Sequence, residues 1–172
     1  IAYEKSGIIK EGVPIITTET NLDPLEVIKK TAKNRSAPLF TASPDSLTPH
    51  PPQFPEYQKN NISLALKTAD VLQTQLPVSK NLLREGLCTA QWPGRFQIIR
   101  LNNQTIILDG AHNVAGFFAL TESLNKRFQE KPHIVIGVLA DKDWPNICRV
   151  IAPYGLSFFC LPVPSLRTLA PE

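Results

Sequence analysis

The chain has 172 residues, 42% of them hydrophobic, and a net charge of +3. That apolar fraction supports a packed core and argues against wholesale disorder. The mild positive charge admits anionic small molecules but does not argue for nucleic acid, and no basic stripe interleaves with aromatics. No apolar run is long enough for a membrane span, and no signal peptide is visible, so no membrane role is expected. Cys88, Cys148 and Cys160 are odd in number and lack metal-ligand spacing. They read as buried free thiols in a reducing, cytoplasmic setting. The chain contains no methionine, opens inside a motif and ends without an obvious closing element. An incomplete chain, cut at both ends, is expected.

The elements follow in order. Val13–Thr18 is apolar and β-branched and predicts a strand. Asn21 or Asp23 then caps a helix with Pro24 near its start and Leu25, Ile28 and Ala32 on its apolar face. A second strand is expected at Ala37–Ala42. The density of prolines over Ser43–Pro55 excludes helix and central strand and predicts a connector. Tyr57–Leu76 predicts a helix with Ile62, Leu66, Ala69 and Leu72 on one side. Ser79 opens a shorter helix that Gly86 closes. Residues 87–98 form the expected hinge.

Beyond the hinge, Phe96–Leu101 and Thr105–Leu108 predict an antiparallel pair around an Asn102-Asn103 turn. A helix follows, with Val114, Phe117, Phe118, Thr121, Leu124 and Phe128 at helical spacing. Strand His133–Leu139, helix Trp144–Pro153 and strand Leu156–Leu161 complete the pattern. Alternating strands and helices imply an α/β architecture with a mostly parallel sheet.

The stretch Asp109-Gly110-Ala111-His112-Asn113 carries the most chemical information. It follows an apolar strand and opens a helix, which is expected to place it at the carboxyl edge of a parallel sheet, where open α/β folds bind ligands. Gly110 allows a sharp turn and close backbone approach, and the helix start offers N–H groups to an anion. Asp109 suits either a helix cap or a ribose hydroxyl. His112 reads as a structural hydrogen-bonding histidine or a group near a ligand, and Asn113 as an N-terminal helix residue. Arg95, beside a Pro93-Gly94 turn, is either a surface arginine or a bidentate phosphate ligand. Trp92 and Phe96 read as packing anchors of the hinge. Lys5, between Glu4 and Ser6, reads alone as a solvated lysine. Asn61 reads as a helix-surface amide. Lys142, between Asp141 and Asp143, is a salt-bridged lysine or a ligand for an incoming amino acid.

Four blocks resemble the folylpolyglutamate synthase/dihydrofolate synthase family of Mur-ligase-like enzymes. They are Ile1-Ala2-Tyr3-Glu4-Lys5-Ser6-Gly7-Ile8-Ile9-Lys10-Glu11-Gly12-Val13-Pro14, Trp92-Pro93-Gly94-Arg95-Phe96-Gln97, Leu108-Asp109-Gly110-Ala111-His112-Asn113 and Gly137-Val138-Leu139-Ala140-Asp141-Lys142-Asp143. The first matches "IA-x-EKAGIIK-x-GVP" with Ser6 for the usual alanine. The resemblance implies that residues 1–92 are the tail of a P-loop ATPase domain of Mur-ligase type. Residues 93–172 would then be a truncated Rossmann-like glutamate ligase domain.

The resemblance further implies an ATP-dependent amide ligase that uses Mg²⁺ and joins L-glutamate to folate or dihydropteroate through an acyl phosphate, acting in the cytoplasm as a monomer when complete. It assigns Lys5 as a carbamate that helps hold magnesium; carbamylation consumes the neutral amine, the form that burial favours. Asn61 becomes a nucleotide contact through a "Q-x-x-N" spacing with Gln58, against a competing match at Asn60. Arg95 becomes a phosphate ligand, Asp109 a ribose ligand, and His112 a catalytic group near the phosphates and reacting carboxylate. The family's glycine-rich GK[ST] loop is not in this chain, so the segment alone is expected to be inactive. Two alternatives stand beside this reading: a Mur-type peptidoglycan ligase, less favoured by the "EKSGIIK" and "WPGRFQ" wording, and a non-catalytic nucleotide-binding module.

Overall fold

A computed structural model describes residues 1–44, 51 and 53–170 and divides the chain into two units, Ile1–Ala90 and Gln91–Glu172. Most of the proline-rich connector expected at 43–55 lies outside the described residues. The first unit opens with the one-turn helix α1, Ala2–Ser6. Strand β1, Ile15–Thr17, helix α2, Leu22–Asn34, and strand β2, Leu39–Thr41, form a β-α-β crossover whose strands pair in parallel. Helix α2 starts at Asn21 as expected, but without a side-chain cap. Instead Glu19 Oε1 accepts the N–H groups of Thr20 at 3.0 Å and Asn21 at 2.9 Å. Buried Ile9, Ala32 and Ala37 form the unit's small core, with Ile28 packed against them.

A 3₁₀ turn at Glu56–Gln58 leads into α3, Lys59–Val71, and Ser79 caps α4, Lys80–Thr89. Both helices depart from expectation at their ends. Helix α3 stops at Val71 rather than Leu76, because Gln73 folds its amide onto Val78, donating to its carbonyl and accepting from its N–H. Pro77 also disfavours helical geometry at Leu76. Gly86 does not close α4, which runs on to Thr89. The Gln53 amide donates to the Leu87 and Cys88 carbonyls, and the Thr89 hydroxyl donates to that of Glu85. Those bonds supply the partners that a helix end otherwise lacks.

In the second unit, β3, Gln97–Leu101, and β4, Gln104–Leu108, form an antiparallel hairpin. Helix α5, Val114–Arg127, follows. A second β-α-β crossover then runs through β5, His133–Ile136, α6, Trp144–Ile151, and β6, Ser157–Cys160, with β5 and β6 parallel. Among the described strands β4 is hydrogen-bonded to β3 alone, and antiparallel, so the parallel-sheet edge expected at Asp109 is not observed: the short Asn102-Asn103 turn folds β4 straight back on β3. The mixed helix and strand order, with parallel pairs in both units, gives the α/β class expected. The core gathers Phe117, Ile147 and Ile151 between α5, α6 and the strand residues Ile134 and Ile136. Phe118 is 55% exposed, because adjacent helix positions lie about 100° apart and only Phe117 can face that core.

All three cysteines are exposed and unpaired, so their expected burial is not observed. No described helix is long and apolar enough to cross a membrane. Ile147 has 0% exposure at the centre of the second core. Ile147→Ala is therefore expected to cost about 2–5 kcal/mol, read as a lower urea midpoint at unchanged slope. A loss near zero would place the unit's stability elsewhere.

Candidate functional site

The site in the second unit begins with a turn. Asn102 and Asn103 have φ of 45° and 63°, the left-handed pair that a two-residue hairpin turn requires. That turn fixes the register, pairing Gln97 with Leu108. The next position out brings Phe96 beside Asp109, and Asp109 Oδ2 accepts the Phe96 N–H at 2.8 Å. Its other oxygen, Oδ1, accepts the Ala111 N–H, also at 2.8 Å. One carboxylate thus ties the entry of β3 to the loop after β4. Asp109 is not the helix cap; Asn113 is, accepting the Gly116 N–H at 2.8 Å.

Gly94 and Phe96 both adopt left-handed backbone, with φ of 70° and 48°. For a glycine this is free; for a phenylalanine it costs about 1–3 kcal/mol. Phe96 holds that conformation while 3% exposed, with the Arg127 guanidinium 5.1 Å above its ring. The sharp turn therefore sits at Gly94, not at Gly110, whose φ is not positive. Gly110 instead donates its N–H to the Gly94 carbonyl at 2.7 Å. A β-carbon there would lie 3.5 Å from Arg95 Nη1, so the exposed Arg95 side chain runs over Gly110. His112 is exposed, with Nδ1 2.9 Å from the Gly110 carbonyl. A carbonyl only accepts, so Nδ1 carries the proton of that bond and Nε2 is left as the ring's second functional nitrogen.

Arg95, Asp109 and His112 are thus brought to one loop cluster, directly before the N-terminus of the 14-residue helix α5. That combination offers a guanidinium, an imidazole and backbone donors to an anion. Trp92 is 73% exposed and packs no core, whereas Phe96 is buried as expected.

The other candidates stand apart from this cluster along the chain. Lys5 is exposed on α1, next to buried Ser6. Asn61 Nδ2 donates to Gln58 Oε1 at 2.7 Å, so the two residues of the "Q-x-x-N" spacing hold each other. Asn60, not Asn61, lines a groove of about 440 Å³ at the carboxyl end of β1 with Thr17, Thr18 and Glu19. Lys142 Nζ lies 3.2 Å from Asp141 Oδ2, and Arg167 lies 3.4 Å from the same oxygen. The hydrogen bond from Lys142 holds the Asp141 carboxyl below the usual carboxylate range, against a smaller opposing effect of desolvation. Among the described residues no three His, Cys, Asp or Glu side chains gather as a metal site.

Two elements of the site escaped sequence reading. The Pro93-Gly94 pair marked a turn, so the left-handed Gly94 was within reach of it. Left-handed Phe96 and its Arg127 partner, 31 residues on, had no local signal.

Residues 94–158, which contain the whole cluster, match the Mur ligase, glutamate ligase domain. The chain is 32% identical to the dihydrofolate synthase/folylpolyglutamate synthase of Bacillus subtilis, covering 87% of this chain and 40% of that protein. The crystal structure of folylpolyglutamate synthase from Thermotoga maritima superposes with a TM-score of 0.75 at 33% identity, covering 99% of this chain and 46% of that one. The bifunctional folylpolyglutamate synthase/dihydrofolate synthase of Yersinia pestis, complexed with AMPPNP and a Mn ion, superposes with a TM-score of 0.76 at 26% identity, covering 98% and 43%. The chain therefore spans less than half the length of these relatives. It belongs to the folylpolyglutamate synthase/dihydrofolate synthase family, within the Mur-ligase type.

Proposed function

We propose that the complete protein is an ATP-dependent ligase that adds L-glutamate to a folate, or to dihydropteroate, through an acyl phosphate. The single observation carrying this reading is the Arg95–Asp109–His112 cluster at the start of α5, inside the stretch that matches a glutamate ligase domain. The Yersinia relative's complex with AMPPNP and Mn supports ATP and a divalent ion as cofactors. The proposed setting for the reaction is cytoplasmic.

This chain's own residues supply positioning and charge. Arg95 is assigned to a nucleotide phosphate, since a planar guanidinium beside a helix start suits that oxyanion. Asp109 is assigned to the ribose on the resemblance of its Asp-Gly-Ala-His-Asn block. His112, with Nδ1–H held by Gly110, would meet the transferring phosphoryl group through Nε2. Asn61 is assigned to the nucleotide and Lys142 to the incoming glutamate; both must release the partners they hold here. The described residues do not by themselves make a magnesium site. Lys5 is assigned as one ligand on the resemblance of its Ile1–Pro14 block; the burial expected to favour its neutral amine is not observed, because the side chain is exposed.

Four outcomes are expected. The 172-residue chain alone should bind Mg-ATP weakly in calorimetric titration, because it contains no P-loop; a sub-micromolar dissociation constant would contradict the assignment. In the complete enzyme, Lys5→Ala should abolish ligase activity at unchanged melting temperature, with partial rescue by added short carboxylates; unchanged turnover would leave Lys5 a surface lysine. Asp109→Ala should raise the ATP KM by about ten- to a hundredfold, the worth of a hydrogen bond to a charged group. It should also lower the melting temperature, because it frees two backbone N–H groups. His112→Ala should lower kcat at saturating ATP with little change in melting temperature, since the side chain is exposed. Stability losses with unchanged kinetics would make both residues structural.

A further inference from the structure

The relation between Phe96 and Arg95 extends that reading. Two left-handed residues, Gly94 at φ 70° and Phe96 at φ 48°, flank Arg95. Such backbone is unusual for a residue with a bulky side chain and persists only where the surroundings over-determine it. Here three contacts do so. The Phe96 N–H is held by Asp109 Oδ2 at 2.8 Å, the ring is 3% exposed, and Arg127 of α5 stands 5.1 Å over it. The peptide leaving Arg95 is therefore anchored to the loop of residues 109–111 on one side and to α5 on the other. The Arg95 guanidinium in turn lies along Gly110, whose carbonyl accepts the His112 ring N–H.

We propose that Phe96 is a positioning residue: its left-handed backbone, pinned through its N–H by Asp109, aims the Arg95 guanidinium at the anion-binding loop that His112 completes. The proposal rests on the reading of Arg95 as a nucleotide-phosphate ligand. A residue that only filled the core would matter through volume and hydrophobicity. A residue that sets backbone direction matters through φ.

Leucine and isoleucine separate these roles. They share volume and hydrophobicity, but β-branching penalises left-handed backbone far more. In the complete enzyme, Phe96→Ile is expected to raise the ATP KM about tenfold over Phe96→Leu, with a smaller change in kcat. Arg95→Ala should also raise the ATP KM, and adding Phe96→Ile to it should raise it little further, because the two act on one interaction. Additive effects, or equal KM for Phe96→Leu and Phe96→Ile beside an impaired Arg95→Ala, overturn the positioning role alone. An Arg95→Ala variant with unchanged ATP KM overturns the phosphate reading and the proposal with it. Should Phe96→Ile fail to fold, Phe96→Gly decides: glycine keeps the N–H and takes φ 48° freely. An ATP KM within about threefold of the parent, despite a lower melting temperature, supports the proposal. A rise as large as that of Arg95→Ala overturns it.

Discussion

The Asp109 carboxylate is the interaction on which the candidate site depends. It accepts two backbone N–H groups from different segments, Phe96 and Ala111. Charge-assisted bonds of this kind are about twice as strong as neutral ones. They join the entry of the β3–β4 hairpin to its exit, so the hairpin closes at both ends: by the Asn102-Asn103 turn at the tip and by Asp109 at the base. Register and site are then one constraint. A slip of one residue would turn every side chain of β4 over and carry Asp109 away from Phe96.

The five residues from Asp109 to Asn113 each make a distinct connection. Asp109 ties two loops, and Gly110 joins the Gly94 carbonyl through its N–H. Ala111 supplies an N–H to Asp109, His112 turns its ring back on Gly110, and Asn113 caps α5. All of these bonds lie within the second unit. A loop so cross-linked is ordered before any ligand arrives, which lowers the cost of binding. The Arg95 guanidinium and the far nitrogen of His112 stand outside these bonds, on exposed side chains.

Much of this was legible because it is local. Alternating strand and helix patterns gave the two β-α-β crossovers, and consecutive asparagines gave the left-handed turn. A strand running into Asp-Gly-Ala-His-Asn marked the loop that holds the cluster. What could not be read depended on distant partners. Helix α4 continues through Gly86 because Gln53, far upstream, satisfies its last carbonyls. Phe118 shared the helical spacing of Phe117, but only the position of Ile147 and Ile151 decides which ring is buried. The cysteines are exposed for the same reason: Cys148 and Cys160 lie outside the core that Ile147 and Ile151 define. For Asp109 the residue alone left a helix cap and a ribose ligand equally open. The hairpin register excludes the cap and adds a backbone role that no residue pattern announces.

That backbone role changes how the cluster's electrostatics are understood. A bare carboxylate beside an arginine would pair with the guanidinium and oppose any anion that the arginine attracts. Two N–H dipoles directed at Asp109 offset part of that charge, and they hold its oxygens toward Phe96 and Ala111. Arg95, running over Gly110 instead, keeps its guanidinium at the exposed surface of the loop. The same carboxylate can therefore order the loop beside an exposed arginine. The geometry that permits this is the left-handed backbone on either side of Arg95, which sends the main chain to Asp109 and the side chain across Gly110.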